Sequence, residues 1–187
     1  HKKRYLPKMI TGEEIWCQLF SEPAAGSDLG GIKMKAEKDG DEWVLNGQKV
    51  WTSGAHFSDY GMIITRTDPT ALKHKGLTYF FIDMKSPGIE VKPIKQISGT
   101  SNFNEVFFND VRVPDSQRLG KEGEGWKVAL TTLMNERLAV GDPPGLDFDQ
   151  IFEATKQFEV EDGLAIKNSE VRQKMADWYV QSRGLHY

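Results

Sequence analysis

The first segment with chemical potential is Trp16-Cys17-Gln18-Leu19-Phe20-Ser21-Glu22-Pro23-Ala24-Ala25-Gly26-Ser27-Asp28. It reads as a strand entering a sharp turn, where small residues let a ligand approach the backbone and Ser21 and Ser27 offer hydroxyl donors. A second segment, Gly47-Gln48-Lys49-Val50-Trp51-Thr52-Ser53, adds a flat indole and another pair of hydroxyls. Further along stand the run 103–114, the spaced glycines Gly120, Gly123 and Gly125 before Trp126, and the pair Glu136-Arg137. Taken singly, each feature has an ordinary explanation: a Ser/Gly-rich turn, a tryptophan in a core, a solvated helix carboxylate.

Other reactive types read more plainly. His56 and His74 stand apart from other ligand types and lack metal-ligand spacing, so they read as surface or loop histidines, and no metal is expected. Cys17 is the only cysteine, which excludes an internal disulfide and a cysteine-based metal cluster and suggests a reducing compartment. With no histidine near it in sequence, it reads as a packed strand residue. The spaced glycines lack the strand-loop-helix unit and lysine of a phosphate-binding loop.

The elements that must hold these residues fall into two regions. Residues 15–21, 33–38, 42–52, 60–67, 77–84, 89–97 and 103–113 read as strands, separated by Gly, Asp, Asn and Pro at the intervals of an antiparallel system. Asp39-Gly40 reads as a type I′ hairpin turn. After Pro114 the period changes. Trp126, Ala129, Leu130, Leu133, Met134, Leu138 and Val140 share one helical face, with Gly141, Pro143 and Pro144 as its stop. Glu136 falls on the edge of that stripe and Arg137 near its middle, where an arginine needs a partner or a route to solvent. Residues 148–156 and 169–182 read as further helices, the latter with Val171, Met175, Trp178 and Tyr179 on one side, and 159–163 reads as an acidic turn-like joint. The fold class is mixed, all-β plus all-α: an antiparallel β-barrel or sandwich followed by part of a helical bundle.

At 187 residues and a formal charge of −3, the chain is long enough for one domain and part of another. Acids and bases are interleaved with no basic stripe, so nucleic acid is not an expected partner. No apolar run approaches the roughly 20 residues that cross a bilayer, and the opening His1-Lys2-Lys3-Arg4 does not begin a signal peptide. No membrane association is expected.

The ordered series of motifs resembles the acyl-CoA dehydrogenase family. The likeness is to its SEP-x-AGSD turn (Ser21 to Asp28), its NG-x-K-x-W segment (Asn46 to Trp51), its EV-x-F-x-DV-x-VP strand (Glu105 to Pro114) and its LG-x-x-G-x-GW…ER helix (Leu119 to Arg137). Four motifs in that order cover nearly the whole chain. The resemblance implies a linker at 1–14 from an absent N-terminal helical domain, a middle β-domain at 15–115, and a C-terminal helical domain starting at 116 and broken off at Tyr187. It also implies FAD-dependent α,β-dehydrogenation of an acyl-CoA thioester, with electrons passed to an electron-transfer flavoprotein. An acyl-CoA oxidase of related fold and a non-catalytic partner subunit are the alternatives. The full-length protein is expected to be a homo- or hetero-oligomer in the cytoplasm, or in the mitochondrial matrix if eukaryotic, and this chain alone to be inactive and to hold FAD weakly.

Residue roles follow from the same resemblance. Gln18, Phe20, Ser21 and Ser27 line the flavin on one side, and Trp51, Thr52 and Ser53 cover the other part of the ring. Ser27, Thr67, Met134 and Arg137 face the acyl-CoA. Glu136 takes the proton from Cα, as in the branch with isovaleryl-type and long-chain-type enzymes; most members supply the base from a position later than Tyr187.

Overall fold

The computed structural model describes residues 1–140, 147–161 and 163–184. The expected helix stop at Gly141, Pro143 and Pro144 lies outside the described residues, as do the side chains of Leu138 and Val140. Contacts divide the chain into two compact units, His1–Arg137 and Leu138–Tyr187.

The first unit is built on one sheet. Its strands are β1 (Trp16–Leu19), β2 (Lys35–Asp39), β3 (Glu42–Ser53), β4 (Tyr60–Arg66), β5 (Leu77–Asp83), β6 (Ile89–Ile94), β7 (Phe103–Pro114) and β8 (Arg118–Leu119). They run in the order β6-β7-β3-β2-β4-β5-β8, with β1 added beside β4. All the strands expected from sequence are present, and the two-residue β8 is additional. The sheet is mixed rather than purely antiparallel, because β1 pairs with β4 in parallel and β2 meets β4 in parallel at Lys35 and Arg66. With β1 taking the first half of the β4 edge, β2 reaches only its end. The sheet folds over at that point, and a core of Leu19, Trp43, Leu45, Ile63, Phe80, Val106 and Phe108 is shared by strands on both sides of β2.

Alternation along β4 and β5 sorts residues between two cores. Ile63, Phe80 and Ile82 enter the shared core, whereas Ile64, Leu77 and Tyr79 face the opposite way, into a second core with Phe20, Leu29, Ile32 and Ala129. Both faces of β5 are therefore covered, which explains its unbroken apolar text. The β2–β3 turn is Gly40-Asp41, one residue later than expected, since Asp39 pairs with Glu42. Only Gly40 takes positive φ, at 62°, the pattern of a type II′ rather than a type I′ turn.

The segment expected as a linker contains α1 (Lys2–Thr11), closed by Gly12 in the left-handed conformation at φ 73°. Tyr5 places its ring 5.6 Å from Trp16, 5.3 Å from Tyr60 and 5.1 Å from Phe81, which docks this helix on β1, β4 and β5. The second described helix, α2 (Gly125–Val140), begins in this unit.

The second unit contains α3 (Phe148–Thr155), β9 (Glu159–Val160), β10 (Gly163–Leu164) and α4 (Ser169–Gly184). Asp147 and Gln150 form a capping box that starts α3. Phe148 meets Phe152, Trp178 and Tyr179 at ring separations of 5.7, 5.6 and 4.9 Å. Met175 is buried as expected, but Tyr179, placed by periodicity on the same side, is 44% exposed. The joint at 159–163 pairs as the β9–β10 ladder. Among the described residues no helix is long and apolar enough to cross a membrane.

One polar clasp closes the first unit after β7. The indole of Trp43, 1% exposed, donates from Nε1 to Asp115 Oδ1 at 2.7 Å. Arg118 donates to both oxygens of the same carboxylate at 2.9 Å. Those Arg118 bonds first, and the Trp43 bond second, hold the Asp115 carboxyl well below the usual carboxylate range. We expect Asp115→Ala to cost about 1–3 kcal/mol in chemical denaturation, because a buried indole N–H loses its acceptor. A depressed carboxyl pKa contributes stability that is complete above the unfolded value and lost as pH falls through the folded one. Stability of the parent should accordingly decline below about pH 4, and Asp115→Asn should flatten that decline.

Candidate functional site

The turn after β1 is fixed by a charge pair that sequence reasoning passed over. Glu22 and Ala25 exchange backbone hydrogen bonds of 2.9 and 3.0 Å across Pro23-Ala24, making the turn tight. Glu22 then points inward. Its carboxylate accepts from the backbone of Lys33 at 2.7 Å and of Met34 at 3.1 Å, and from Lys49 Nζ at 2.9 Å. Lys49 is completely buried, and the same ammonium donates to the Phe20 carbonyl at 3.0 Å. Burial pushes the Lys49 pKa down, to about 8, against the opposing pull of Glu22. The available signal was parity: counted by twos from Trp43 and Leu45, Lys49 falls on an inward position.

The same contacts bring the turn to the indole. Val50 donates its N–H to the Ser21 carbonyl at 2.9 Å, so Ser21 lies beside the residue preceding Trp51. The β3–β7 register shifts once between Leu45 and Gly47 and again between Lys49, paired with Val106, and Thr52, paired with Asn104, the second shift leaving a bulge at Val50-Trp51. Within it Trp51 takes φ 59°, in the left-handed region. For an L-residue this costs on the order of 1–2 kcal/mol and persists only where the surroundings enforce it. Here Lys49 and Val50 hold one side. On the other side Asn104 Nδ2 donates to the Thr52 carbonyl at 2.9 Å and Gly54 N–H to the Asn102 carbonyl at 3.1 Å. The indole consequently stands 59% exposed, with the Phe103 ring edge-on at 6.2 Å, and is not a core residue.

Ser53 is exposed beside it. Thr52 is buried, and its hydroxyl finds no partner among the described residues. His56 is an exposed loop residue whose Nδ1 lies 3.1 Å from Asn104 Oδ1. With the Asn104 amide group committed to Thr52, that oxygen accepts from a His56 Nδ1–H.

Helix α2 carries the candidate base to this region. Gly125 lets it approach β5 closely, since a Cβ there would lie 2.7 Å from the Thr78 backbone. Gly123 N–H donates to Thr78 Oγ1 at 3.0 Å, Ala129 is fully buried, and the Tyr79 and Thr132 hydroxyls are 3.2 Å apart. The spaced glycines thus serve helix docking. The contact line runs through Gly125, Ala129 and Thr132, so Leu130 and Met134, expected on the buried stripe, are 42% and 56% exposed. Arg137, expected near the middle of the stripe, is exposed for the same reason. Glu136 is exposed too, and Gln18 Nε2 donates to its Oε2 at a long 3.4 Å.

Gln18, Glu136, Ser21 and Trp51 are therefore joined through β1, its turn and Val50. Ser27 is exposed beyond the turn and makes no described contact with them. The Phe20 side chain is buried edge-on to Tyr79 at 5.8 Å, and its carbonyl is taken by Lys49. Thr67 commits its hydroxyl to Thr78 Oγ1 at 2.8 Å and lines a separate cavity of about 310 Å³ with Lys33, Lys35 and Arg66. Burial raises the Cys17 thiol to about 11, which leaves it protonated at neutral pH. Among the described residues no three His, Cys, Asp or Glu side chains group as metal ligands.

Fold and site together define a β-domain with a candidate binding face at its first turn and central bulge, followed by helices. The family model for the acyl-CoA dehydrogenase middle domain matches residues 17–111. The chain belongs to the acyl-CoA dehydrogenase family, the one its motif series resembles. It is 53% identical over 138 residues to acyl-CoA dehydrogenase FadE34 of Mycobacterium tuberculosis, covering 74% of this chain and 19% of that protein. Similarity to acyl-CoA dehydrogenase IpdE1 of the same organism is 48% over 136 residues, or 73% and 35% of the two chains. The solved Tcur3481-Tcur3483 steroid ACAD superposes with a TM-score of 0.79 at 32% identity, over 98% of this chain and 47% of that one. The chain thus spans less than half the length of these relatives.

Two substitutions two positions apart on β3 should behave oppositely in thermal or denaturant unfolding. Lys49→Met should cost about 3–5 kcal/mol by leaving Glu22 buried without its counter-charge. Trp51→Gly should stay within about 1 kcal/mol of the parent, since released left-handed strain offsets the entropy of glycine.

Proposed function

We propose that the full-length protein is an FAD-dependent acyl-CoA dehydrogenase and that the turn at Ser21 and the bulge at Trp51 hold its flavin. The observation that carries this reading is the linkage of Glu136, Gln18, Ser21 and Trp51 within one compact unit. The residues fit such a group. An exposed indole on an enforced left-handed backbone offers an apolar plane, Ser21 and Ser53 offer donors, and open space surrounds Gly26. The orphaned Thr52 hydroxyl marks an unsatisfied polar atom beside the same bulge.

FAD, when bound, supplies the hydride acceptor for Cβ of the thioester. The chain's own part is to hold and to deprotonate. Trp51 covers one part of the ring while Ser21 and Ser53 donate hydrogen bonds to it. Ser27, Met134 and Arg137 lie outward, where an acyl-CoA approaches. Glu136 takes the proton at Cα, positioned by a helix whose docking on β5 is rigid and by the Gln18 amide. An apolar substrate covering Leu130 and Met134 displaces water from around Glu136.

In this reading 1–14 is a linker segment, 15–115 a middle β-domain and 116–187 the start of a helical domain. Electrons leave to an electron-transfer flavoprotein, and the working protein is an oligomer, homomeric or paired with a second subunit, as the double name of the Tcur3481-Tcur3483 steroid ACAD has it for that protein. The full-length protein should be yellow, and an acyl-CoA panel including steroid acyl-CoA thioesters should bleach it under nitrogen. Glu136→Gln should retain flavin and slow bleaching by about 10²–10⁴-fold. Bleaching at nearly the parent rate would move the base elsewhere, and a colourless full-length protein would defeat the assignment.

A further inference from the structure

We propose that the buried Glu22–Lys49 pair is a positioning device for the cofactor face, setting the spacing between the Ser21 turn and the Trp51 bulge; this rests on the flavin reading above. The argument begins with cost. Sequestering an ammonium and a carboxylate from water is expensive, and apolar residues of similar volume would stabilise the sheet at least as well. The pair is therefore poorly explained as a stabiliser. Its geometry explains it better.

Lys49 donates simultaneously to the Phe20 carbonyl and to Glu22, which brackets Ser21. Glu22 in turn holds Lys33 and Met34, so three separate segments meet at two side chains. Lys49 is also the last residue in register before the bulge, two residues from the left-handed Trp51. An apolar side chain at 49 would fill the space without a directed bond to either Phe20 or Glu22. The turn would then be tied to β3 by the single Val50 to Ser21 bond. Placement within about half an ångström matters where several groups must meet one rigid ligand.

The test is a double substitution in the full-length protein, Glu22→Gln with Lys49→Met. Glu22→Gln keeps a carbonyl acceptor for the Lys33 and Met34 N–H groups, and together the changes remove both charges at near-constant volume. We expect the thermal midpoint of the apoprotein to stay within about 5 °C of the parent. FAD affinity should fall about tenfold or more, and the bound-flavin absorption spectrum should shift. Parent-like affinity and spectrum in the folded double variant would overturn the proposal. Should that variant not fold, Glu22→Asp keeps both charges and withdraws the carboxylate by one methylene. A several-fold loss of FAD affinity there supports the positioning role, and parent-like affinity overturns it. Trp51→Phe, measured alongside, separates the two levels. If it leaves affinity and spectrum unchanged, the flavin lies elsewhere and both readings fall; if it perturbs them while the pair variants do not, the positioning role alone falls.

Discussion

A single ammonium, Lys49 Nζ, holds together most of what makes one face of this sheet unusual. It is completely buried, so its charge is met by the Phe20 carbonyl and the Glu22 carboxylate. Satisfying that charge draws the Ser21 turn onto β3. The turn also covers the outward side of β4 and β5, where Phe20, Leu29 and Ile32 join Ile64 and Tyr79 in the second core. Polar satisfaction and apolar burial thus act on the same segment and agree on its position.

The second core is also what admits helix α2. Ala129 is its helical member, and Gly125 removes the side chain that would collide with the Thr78 backbone. Small residues at both positions let the helix lie close, and closeness limits the strip of helix the sheet can cover. Leu130, Met134, Glu136 and Arg137 are left facing outward as a consequence. An exposed apolar strip beside an exposed carboxylate is what an apolar substrate or a further segment could seal. Strain and exposure recur at Trp51, where a bulge turns a large aromatic out of a strand that otherwise buries its neighbours.

Much of this was legible in the amino-acid order. Alternating text in β3 and β7 and short continuous apolar runs in β4 and β5 marked these strands almost to the residue, and the change of period at Pro114 marked the passage to helices. The motif series pointed to the acyl-CoA dehydrogenase family, whose middle-domain model matches 17–111. What local pattern determined is what depends on near neighbours: alternation for a strand, three-and-four spacing for a helix, glycine where a turn needs positive φ.

Tertiary structure alone decided the rest. The parallel pairing of β1 with β4 joins residues over forty positions apart in sequence, and no local signal encodes it. Parity along β3 places Lys49 inward, but its pairing with Glu22, 27 residues away, depends on the turn packing onto the sheet. Periodicity placed Leu130 and Met134 on an apolar face, yet only the close docking at Gly125 and Ala129 determined how much of that face the sheet covers. The outward turn of Trp51 likewise required a register shift between two strands, and register is a relation between segments that neither segment carries by itself.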